Sequence, residues 1–235
     1  MKIQPFGDSS LLVSFEEEIS ETTNQKVIAL FQLLENKKGL CFQIPAYNSL
    51  TIGIDPKVWN LSDATIFIRE QQALFPDISK KSRNQYIIPV CYEEDFAPDL
   101  NEISDYLKIS PSQLISLHTA QSYRVFMLGF VAGFAYLGTL NPKLESPRKK
   151  NPRLKVPAGS VGLAGLQTGI YPTDAPGGWQ IIGRTPLDIF NPKRDNPTLL
   201  NPGDLVSFRA ISKEEFQIIR LKIETGIFQM EVAHA

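Results

Sequence analysis

Histidine and cysteine are scarce in this 235-residue sequence, which contains only two of each. The histidines are His118 and His234, and the cysteines are Cys41 and Cys91. A structural zinc site needs four such ligands at close, regular spacing, so this scatter predicts no zinc site. Two separated thiols also argue against a disulfide scaffold and favour a reducing compartment.

The sequence also lacks an excess of charge of one sign and any long apolar run. The chain has 24 Lys and Arg against 25 Asp and Glu, so no global field favours nucleic acid or an anionic membrane. The longest apolar run, residues 125–138, is shorter than a membrane span and is broken by glycine. The N-terminus has no apolar segment of the secretory kind. We therefore expect a cytoplasmic protein that binds neither nucleic acid nor a membrane.

Common catalytic and nucleotide-binding motifs are also missing. G-x-x-x-x-G-K-[ST] does not occur, and no G-x-G-x-x-G opens a helix after a strand. No spacing links His118 to Ser160 or Asp174 as a catalytic triad would require. His118 is the one candidate for a catalytic proton carrier. The alternative, which its core-like neighbours Leu114 and Leu117 favour, is a hydrogen-bonded residue in the wall of the core.

Short strands and helices alternate along the first ninety residues. The strand candidates are residues 11–15, 41–45, 50–54 and 86–90. Helical periodicity separates them, after the N-cap candidate Ser20 and again after Ser62. The order β-α-β-β-α-β is that of a ferredoxin-like domain. We expect this domain to cover residues 1–90, with a linker or loop at residues 77–85.

Residues 91–235 predict a second domain that is rich in β-structure. Two helices, at residues 99–108 and 110–118, precede a series of short strands separated by turn-forming residues. The strand candidates are residues 125–130, 161–164, 170–171, 179–183 and 205–209. Such a series indicates a barrel or a sandwich, and an amphipathic helix is predicted at residues 212–225. The fold class is therefore α+β with two domains.

Glycine, proline, aromatic residues and arginine are concentrated in residues 129–192. Gly and Pro allow a rigid, tightly turned backbone, while Arg and aromatic rings offer anion-binding forks and stacking faces. The stretch is typical of a ligand- or partner-binding surface, with a turn-rich β segment as the alternative. Arg148 and Arg153 are the sharpest candidates because each follows a proline. We expect Lys149 and Lys150 to be solvated.

We expect one binding cleft to be lined by aromatic, glycine, proline and arginine residues of this stretch. They are Phe130, Phe134, Tyr136, Arg148, Arg153, Pro157, Gly159, Tyr171, Gly177, Gly178, Trp179 and Arg184. For Trp179 a core position is the alternative, since that is the more frequent fate of a tryptophan. No metal site is expected.

Six motifs, occurring in a fixed order, make the chain resemble a known family. They are LHT-x-x-x-Y-x-V (117–125), GF-x-x-GF-x-YLG (129–138), PR…PR-x-x-VPAGSV (147–161), QTGIYP (167–172), PGGW-x-IIGRTP (176–186) and NPGDLVSF (201–208). They are similar to the family of 5-oxoprolinase B subunits (PxpB), also called the KipI or allophanate hydrolase subunit 1 family. The resemblance covers nearly the whole chain. Ala132 stands where the family usually has proline, which relaxes that loop and removes any partner contact to the proline.

The resemblance implies an N-terminal α+β domain followed by a cyclophilin-like β-barrel. It also implies one component of an enzyme that includes a PxpC-type (KipA-like) partner and a PxpA-type partner. Together such proteins hydrolyse 5-oxo-L-proline to L-glutamate, driven by ATP. Arg148 and Arg153 suit the substrate carboxylate or a phosphorylated intermediate. The chain alone is expected to be inactive, and whether ATP touches it stays open.

Two other functions remain open from the same resemblance. The first is inhibition of a sensor histidine kinase, in which Phe130, Phe134 and Tyr136 would anchor the partner. The second, weaker alternative is a carboxyltransferase component of a urea carboxylase or allophanate system. The chain has no A-M-K-M biotin-attachment motif, so in that case biotin would come from another chain.

Overall fold

The structure is a computed structural model that describes residues 1–16, 19–72 and 84–234. Its contacts divide the chain into two compact units, Met1–Ser82 and Arg83–Ala235, called here the N-terminal and the C-terminal unit. Both contain helices and antiparallel strands, so the chain has the α+β fold class that the sequence predicts. Residues 77–83 of the predicted linker lie outside the described residues, and residues 84–85 begin a strand.

In the described part of the N-terminal unit, four antiparallel strands form one sheet. They are β1 (Lys2–Pro5), β2 (Ser10–Ser14), β3 (Leu40–Pro45) and β4 (Ser49–Ile54), in the order β1-β2-β4-β3. Helices α1 (Glu21–Leu33) and α2 (Leu61–Gln72) follow β2 and β4. The Ser20 hydroxyl accepts a hydrogen bond from the Thr23 backbone N–H and caps α1. Alternate strand residues such as Leu11, Val13 and Ile52 are fully buried in the core.

The sequence-based assignment of residues 86–90 to the N-terminal domain, as its fourth strand, is wrong. The strand that pairs with β2 on that side is β1, while residues 86–90 belong to β5 (Asn84–Cys91) in the sheet of the C-terminal unit. Alternation and β-branched residues identify a strand, but they do not specify which sheet it joins. Pro89 lies at a local gap in the pairing on one side of β5. Among the described strands, the partners on one side of β5 pair at residues 84–86 and at Cys91, leaving Pro89 between them.

In the described part of the C-terminal unit, seven strands close into a barrel. They are β5 (Asn84–Cys91), β6 (Ser122–Leu128), β7 (Ala135–Gly138), β9 (Ser160–Ala164), β10 (Gln167–Ile170), β12 (Gln180–Arg184) and β13 (Leu205–Ile211). The order is β12-β9-β10-β7-β6-β13-β5, and the ring closes where Arg184 of β12 pairs with Cys91 of β5. All neighbours are antiparallel except β13 and β5. The barrel option of the sequence analysis is confirmed.

Three shorter strands lie beside the barrel. Strand β14 (Val232–His234) pairs with β5, and β8 (Arg153–Val156) pairs with β11 (Ala175–Gly177) as a separate two-stranded ribbon. The ribbon carries residues of the glycine- and proline-rich stretch to one side of the barrel. It packs there over a cluster that contains Phe134, Tyr171 and Trp179. This cluster forms the base of the candidate site.

The helices of the C-terminal unit are α3 (Leu100–Leu107), α4 (Pro111–Thr119) and α5 (Lys213–Glu224). Ser110 and Gln113 form a capping box at α4, and the Ser212 hydroxyl accepts from the Glu215 backbone N–H at α5. The three predicted helices are therefore confirmed. Across the described ranges, no helix combines the length and the apolar character needed to cross a membrane.

Candidate functional site

An aromatic cleft of about 310 Å³ opens on the C-terminal unit beside the β8–β11 ribbon. It is lined by Phe130, Phe134, Tyr136, Arg148, Lys149, Pro152, Tyr171, Pro176, Gly177, Gly178 and Trp179. These residues come from three separate segments of the glycine-rich stretch, at 130–136, 148–152 and 171–179. The structure thus brings together most of the residues that the sequence placed in one cleft, and we call this site the aromatic cleft.

Phe134 stands at the centre of the aromatic cleft. Its ring centroid lies 4.8 Å from that of Tyr136, 5.0 Å from that of Tyr171 and 5.4 Å from that of Trp179, each in an edge-to-face arrangement. Aromatic pairs prefer this geometry because the positive ring edge meets the negative face. Phe134 is only 1% exposed and Trp179 is buried as well. Both therefore form a rigid floor of the cleft. Trp179 thus has the core position that the sequence analysis gave as the alternative.

Phe130 forms the exposed rim of the cleft. Its ring lies 5.7 Å from that of Phe134, yet 59% of the residue is exposed. Its backbone φ is 65°, a left-handed value that is uncommon for a bulky residue and costs on the order of 1–3 kcal/mol. The turn is held by a hydrogen bond from the Val131 N–H to the Gly129 carbonyl, and exposed Ala132 follows it directly. Phe134, one of the three residues predicted to anchor a kinase partner, is buried and so is unsuitable for that contact.

Arg148 supplies an uncommitted positive charge to the aromatic cleft. Within the described ranges, no hydrogen bond or ion pair engages its guanidinium. Burial raises the pKa of Tyr136 and of Tyr171, and the nearby charge of Arg148 opposes that rise. Both phenols thus stay protonated at neutral pH and keep an O–H donor. The cleft combines apolar faces with donors that suit a small anion.

Arg153 does not line the aromatic cleft, contrary to the sequence prediction. Its Nη2 lies 2.5 Å from Oδ1 of Asp99, a carboxylate that is only 2% exposed. Asp99 also accepts from Nζ of Lys149 at 2.8 Å and from the Ile181 N–H at 2.6 Å. The proline before Arg153 therefore restrains an arginine that serves a buried ion pair, and the expectation of a solvated Lys149 is wrong. No sequence signal reveals Asp99, since 54 residues separate it from Arg153.

Gly159 and Arg184, also predicted for the same cleft, lie at a second cavity of about 310 Å³. We call it the arginine cavity; it is lined by Ala158, Gly159, Pro172, Arg184, Thr185, Pro186, Leu187, Asp188, Phe216 and Arg220. Pro157 is exposed and lines neither cavity. The sequence could not separate the two cavities because the position of Arg184 depends on the pairing of β12 with β9 and with β5, which are distant in the sequence.

His118 lies in the barrel core and lines neither cavity. Its Nδ1 is 2.8 Å from the Tyr92 hydroxyl and its Nε2 is 2.9 Å from the Thr168 hydroxyl. Because the Thr168 hydroxyl donates to the Gly162 carbonyl, it accepts from Nε2–H, so Nδ1 accepts from Tyr92. Burial lowers the pKa of His118 to about 3. His118 is thus a hydrogen-bonded residue of the core, which was the alternative to a catalytic proton carrier.

Comparisons with known protein sequences point to one family. The family described as carboxyltransferase domain, subdomain C and D, matches residues 1–200 of this chain. A Bacillus subtilis (strain 168) protein, named as the B subunit of 5-oxoprolinase, is 40% identical in an alignment of 227 residues that covers 92% of this chain and 95% of that protein. An Escherichia coli O157:H7 protein of the same name is 38% identical over 207 residues, covering 86% and 92% respectively.

Two solved structures with a similar fold are longer than this chain. The crystal structure of TTHA0988 in space group P212121 superposes with a TM-score of 0.79 at 35% identity. The match covers 86% of this chain but 40% of that one. The Kluyveromyces lactis urea carboxylase superposes with a TM-score of 0.79 at 20% identity, over 24% of its own length. At that identity the likeness concerns the fold alone.

Proposed function

We propose that this chain, which belongs to the family of 5-oxoprolinase B subunits, is the B subunit of a hydrolase that converts 5-oxo-L-proline to L-glutamate. Family membership follows from the match over residues 1–200 and from relatives at 40% and 38% identity over nearly their full length. The structural observation that carries the site assignment is the aromatic cleft with its unpaired Arg148. More distant urea carboxylase relatives share the fold but favour no separate activity.

The aromatic cleft suits a small, flat lactam carboxylate. A volume of about 310 Å³ admits a five-membered ring, which would lie against the exposed Phe130 ring above the apolar floor of Phe134 and Trp179. The Arg148 fork matches a carboxylate, which accepts two parallel N–H bonds. The phenols of Tyr136 and Tyr171 supply further donors near the ring. Apolar contacts would hold the ring of the substrate, and the Arg148 guanidinium would hold its carboxylate.

We infer that a partner protein is needed, because the described residues that line the aromatic cleft include no acid–base pair suited to neutral pH. Its described ionisable groups are two tyrosines with a raised pKa, Arg148 and Lys149. Burial lowers the pKa of Lys149, but its contacts with Asp99 and Glu102 raise it overall. General catalysis favours a group whose pKa lies near the working pH. We infer that PxpA-type and PxpC-type partners supply the catalytic groups and the ATP site, and that the complex works in the cytoplasm.

The fold supports this placement in a family of two-domain subunits. We infer that the closed barrel is the cyclophilin-like domain that the family resemblance implies. The N-terminal sheet keeps the split β-α-β arrangement of β2, α1, β3 and β4, with β1 in place of a C-terminal fourth strand. We infer that it is a rearranged ferredoxin-like domain.

Reconstitution tests the proposed function. The purified chain alone should show no 5-oxoproline-dependent ATP hydrolysis, and addition of the PxpA-type and PxpC-type partners should produce it. In the complex, Arg148→Ala should weaken substrate binding by about ten- to a hundredfold, since a charge-assisted contact contributes about 1.5–3 kcal/mol. Arg148→Lys should restore little, because lysine keeps the charge but loses the fork.

Lys150→Ala is the matched control, since Lys150 is an exposed cation in the same loop. Its kinetics should equal those of the parent complex. Turnover by the lone chain would contradict the need for a partner. Parental kinetics for Arg148→Ala, with normal assembly, would show that the aromatic cleft is not the substrate site.

The exposed rim at Phe130 also fits the second candidate function, inhibition of a histidine kinase. An exposed aromatic ring beside an apolar cleft is a frequent anchor in protein interfaces. Autophosphorylation of the host's sensor kinases, measured with and without the chain, separates the two functions. Inhibition that disappears with Phe130→Ala would favour this second candidate.

A further inference from the structure

The arginine cavity lies where the barrel closes, apart from the residues of the aromatic cleft. Arg184 ends β12 and pairs there with Cys91 of β5 and with Ser160 of β9. Arg220 reaches the same cavity from α5. Two guanidinium groups from different elements therefore line one cavity of about 310 Å³.

Arg184 is positioned by the protein but is not neutralised by it. Its Nε donates a hydrogen bond of 2.7 Å to the Ala158 carbonyl. Among the described residues, no carboxylate pairs with it and no acceptor binds its Nη1 or Nη2. Burial lowers the pKa of Arg184, Asp174 opposes that effect, and the charge of Arg220 adds to it. A half-buried, oriented cation without a counter-ion favours an external anion.

Arg220 is only partly committed. Its Nη1 donates to the Pro186 carbonyl at 3.1 Å and to Oδ1 of Asp188 at 2.8 Å, and its Nε lies 3.4 Å from Glu224. In the described ranges, Nη2 has no acceptor. Among the described residues, Asp188 and Glu224 both pair with Arg220, so the positive charge of the cavity that has no ion-pair partner is that of Arg184.

The backbone beside Arg184 is fixed by a close approach that requires glycine. Gly159 has a φ of 81°, and a Cβ at this position would lie 2.4 Å from the Thr185 carbonyl oxygen. The Gly159 N–H donates to the Tyr171 carbonyl, and the Thr185 N–H donates to the Gly159 carbonyl. The Ala158 carbonyl that holds Arg184 is therefore part of a rigid frame, and the guanidinium is oriented before a ligand arrives.

We propose that the arginine cavity binds a phosphoryl group through Arg184 and Arg220. The two terminal nitrogens of Arg184 and Nη2 of Arg220 are three available donors among the described residues, and they match the three terminal oxygens of a phosphoryl group. A carboxylate has only two oxygens and a single negative charge, so it matches three separate donor nitrogens less well than a phosphoryl group does. The group comes either from free phosphate or from a nucleotide. The inference does not depend on the lactam reaction, because it concerns binding to this chain alone.

Calorimetric titration of the full chain at low ionic strength tests the proposal with inorganic phosphate, ADP and acetate as separate probes. Phosphate should bind, and acetate should bind at least about tenfold more weakly because it carries less negative charge and only two acceptor oxygens. Tighter binding of ADP assigns the phosphoryl group to a nucleotide, and equal binding assigns it to free phosphate. Absence of phosphate binding, or equal binding of acetate, overturns the proposal.

Matched variants locate the binding. Arg184→Lys keeps the charge and should fold, yet it and Arg220→Gln should each raise the Kd for phosphate by about tenfold or more. Lys222→Ala, which removes an exposed cation of the same helix, should leave the Kd within about twofold of the parent value, because surface charges act weakly. An equal loss in Lys222→Ala, or an unchanged Kd in both arginine variants with unaltered melting temperatures, overturns the assignment.

Discussion

At the scale of single residues, Asp99 connects distant segments of the C-terminal unit, a role that no sequence pattern indicates. One buried carboxylate accepts from Arg153, from Lys149 and from the Ile181 N–H. It connects the start of α3 with Lys149, with Arg153 of β8 and with β12, which are distant from α3 in the sequence. The position of Lys149 at the wall of the aromatic cleft depends on this contact, so Asp99 orients a cleft residue without lining the cleft.

We predict that Asp99→Asn destabilises the protein by about 1.5–3 kcal/mol, because a buried carboxylate loses its charge-assisted contacts with Lys149 and Arg153. Chemical denaturation with the parent chain in parallel measures the effect. Glu102→Gln is the control, since Glu102 pairs with the same Lys149 but its side chain is 72% exposed. That change should cost less than about 1 kcal/mol. Equal losses in the two variants would show that Asp99 contributes no more than a surface pair.

At the scale of elements, the β8–β11 ribbon sets the shape of the aromatic cleft through glycine. A Cβ on Gly177 would lie 2.1 Å from the Tyr171 hydroxyl oxygen, whereas a Cβ on neighbouring Gly178 would meet nothing closer than 3.5 Å. The ribbon backbone can therefore approach Tyr171 only where no side chain intervenes. Adjacent glycines at the end of β11 thus have different roles.

We predict that Gly177→Ala forces Tyr171 out of position and destabilises the protein by about 1–3 kcal/mol, as overpacking of a buried contact does. It should also weaken binding of 5-oxoproline to the assembled enzyme. Gly178→Ala is the matched control and should change neither property. Thermal unfolding and substrate titration of both variants provide the measurement. Similar behaviour of the two variants would contradict the close-contact explanation.

The elements themselves follow from local sequence, while their partners do not. Ser20, Ser110 and Ser212 mark helix starts because a cap is a contact within one turn. The aromatic cleft was largely predictable because its residues cluster in three motifs. Arg153 and Arg184 were misplaced since their positions depend on Asp99 and on barrel closure, which are contacts between distant segments. The same limit explains why residues 86–90 were assigned to the wrong sheet.

At the scale of the whole molecule, contacts concentrate within the two units, Met1–Ser82 and Arg83–Ala235. Each has its own hydrophobic cluster, one built on the four-stranded sheet and the other on the barrel. A unit with a separate core is expected to fold as a cooperative whole. The barrel carries both the aromatic cleft and the arginine cavity, so both proposed binding functions belong to one unit.

We predict that limited trypsin digestion first cuts between the units, at Lys80, Lys81 or Arg83, and releases a C-terminal fragment that unfolds cooperatively. Residues 92–98 contain no Lys or Arg and therefore offer trypsin no cleavage site. Mass spectrometry identifies the cut, and a thermal melt of the fragment tests its independence. Phosphate titration of that fragment should give the parent Kd, since Arg184 and Arg220 both lie within it. A first cut in the barrel, or a fragment that melts without cooperativity, would show that the barrel depends on the N-terminal unit.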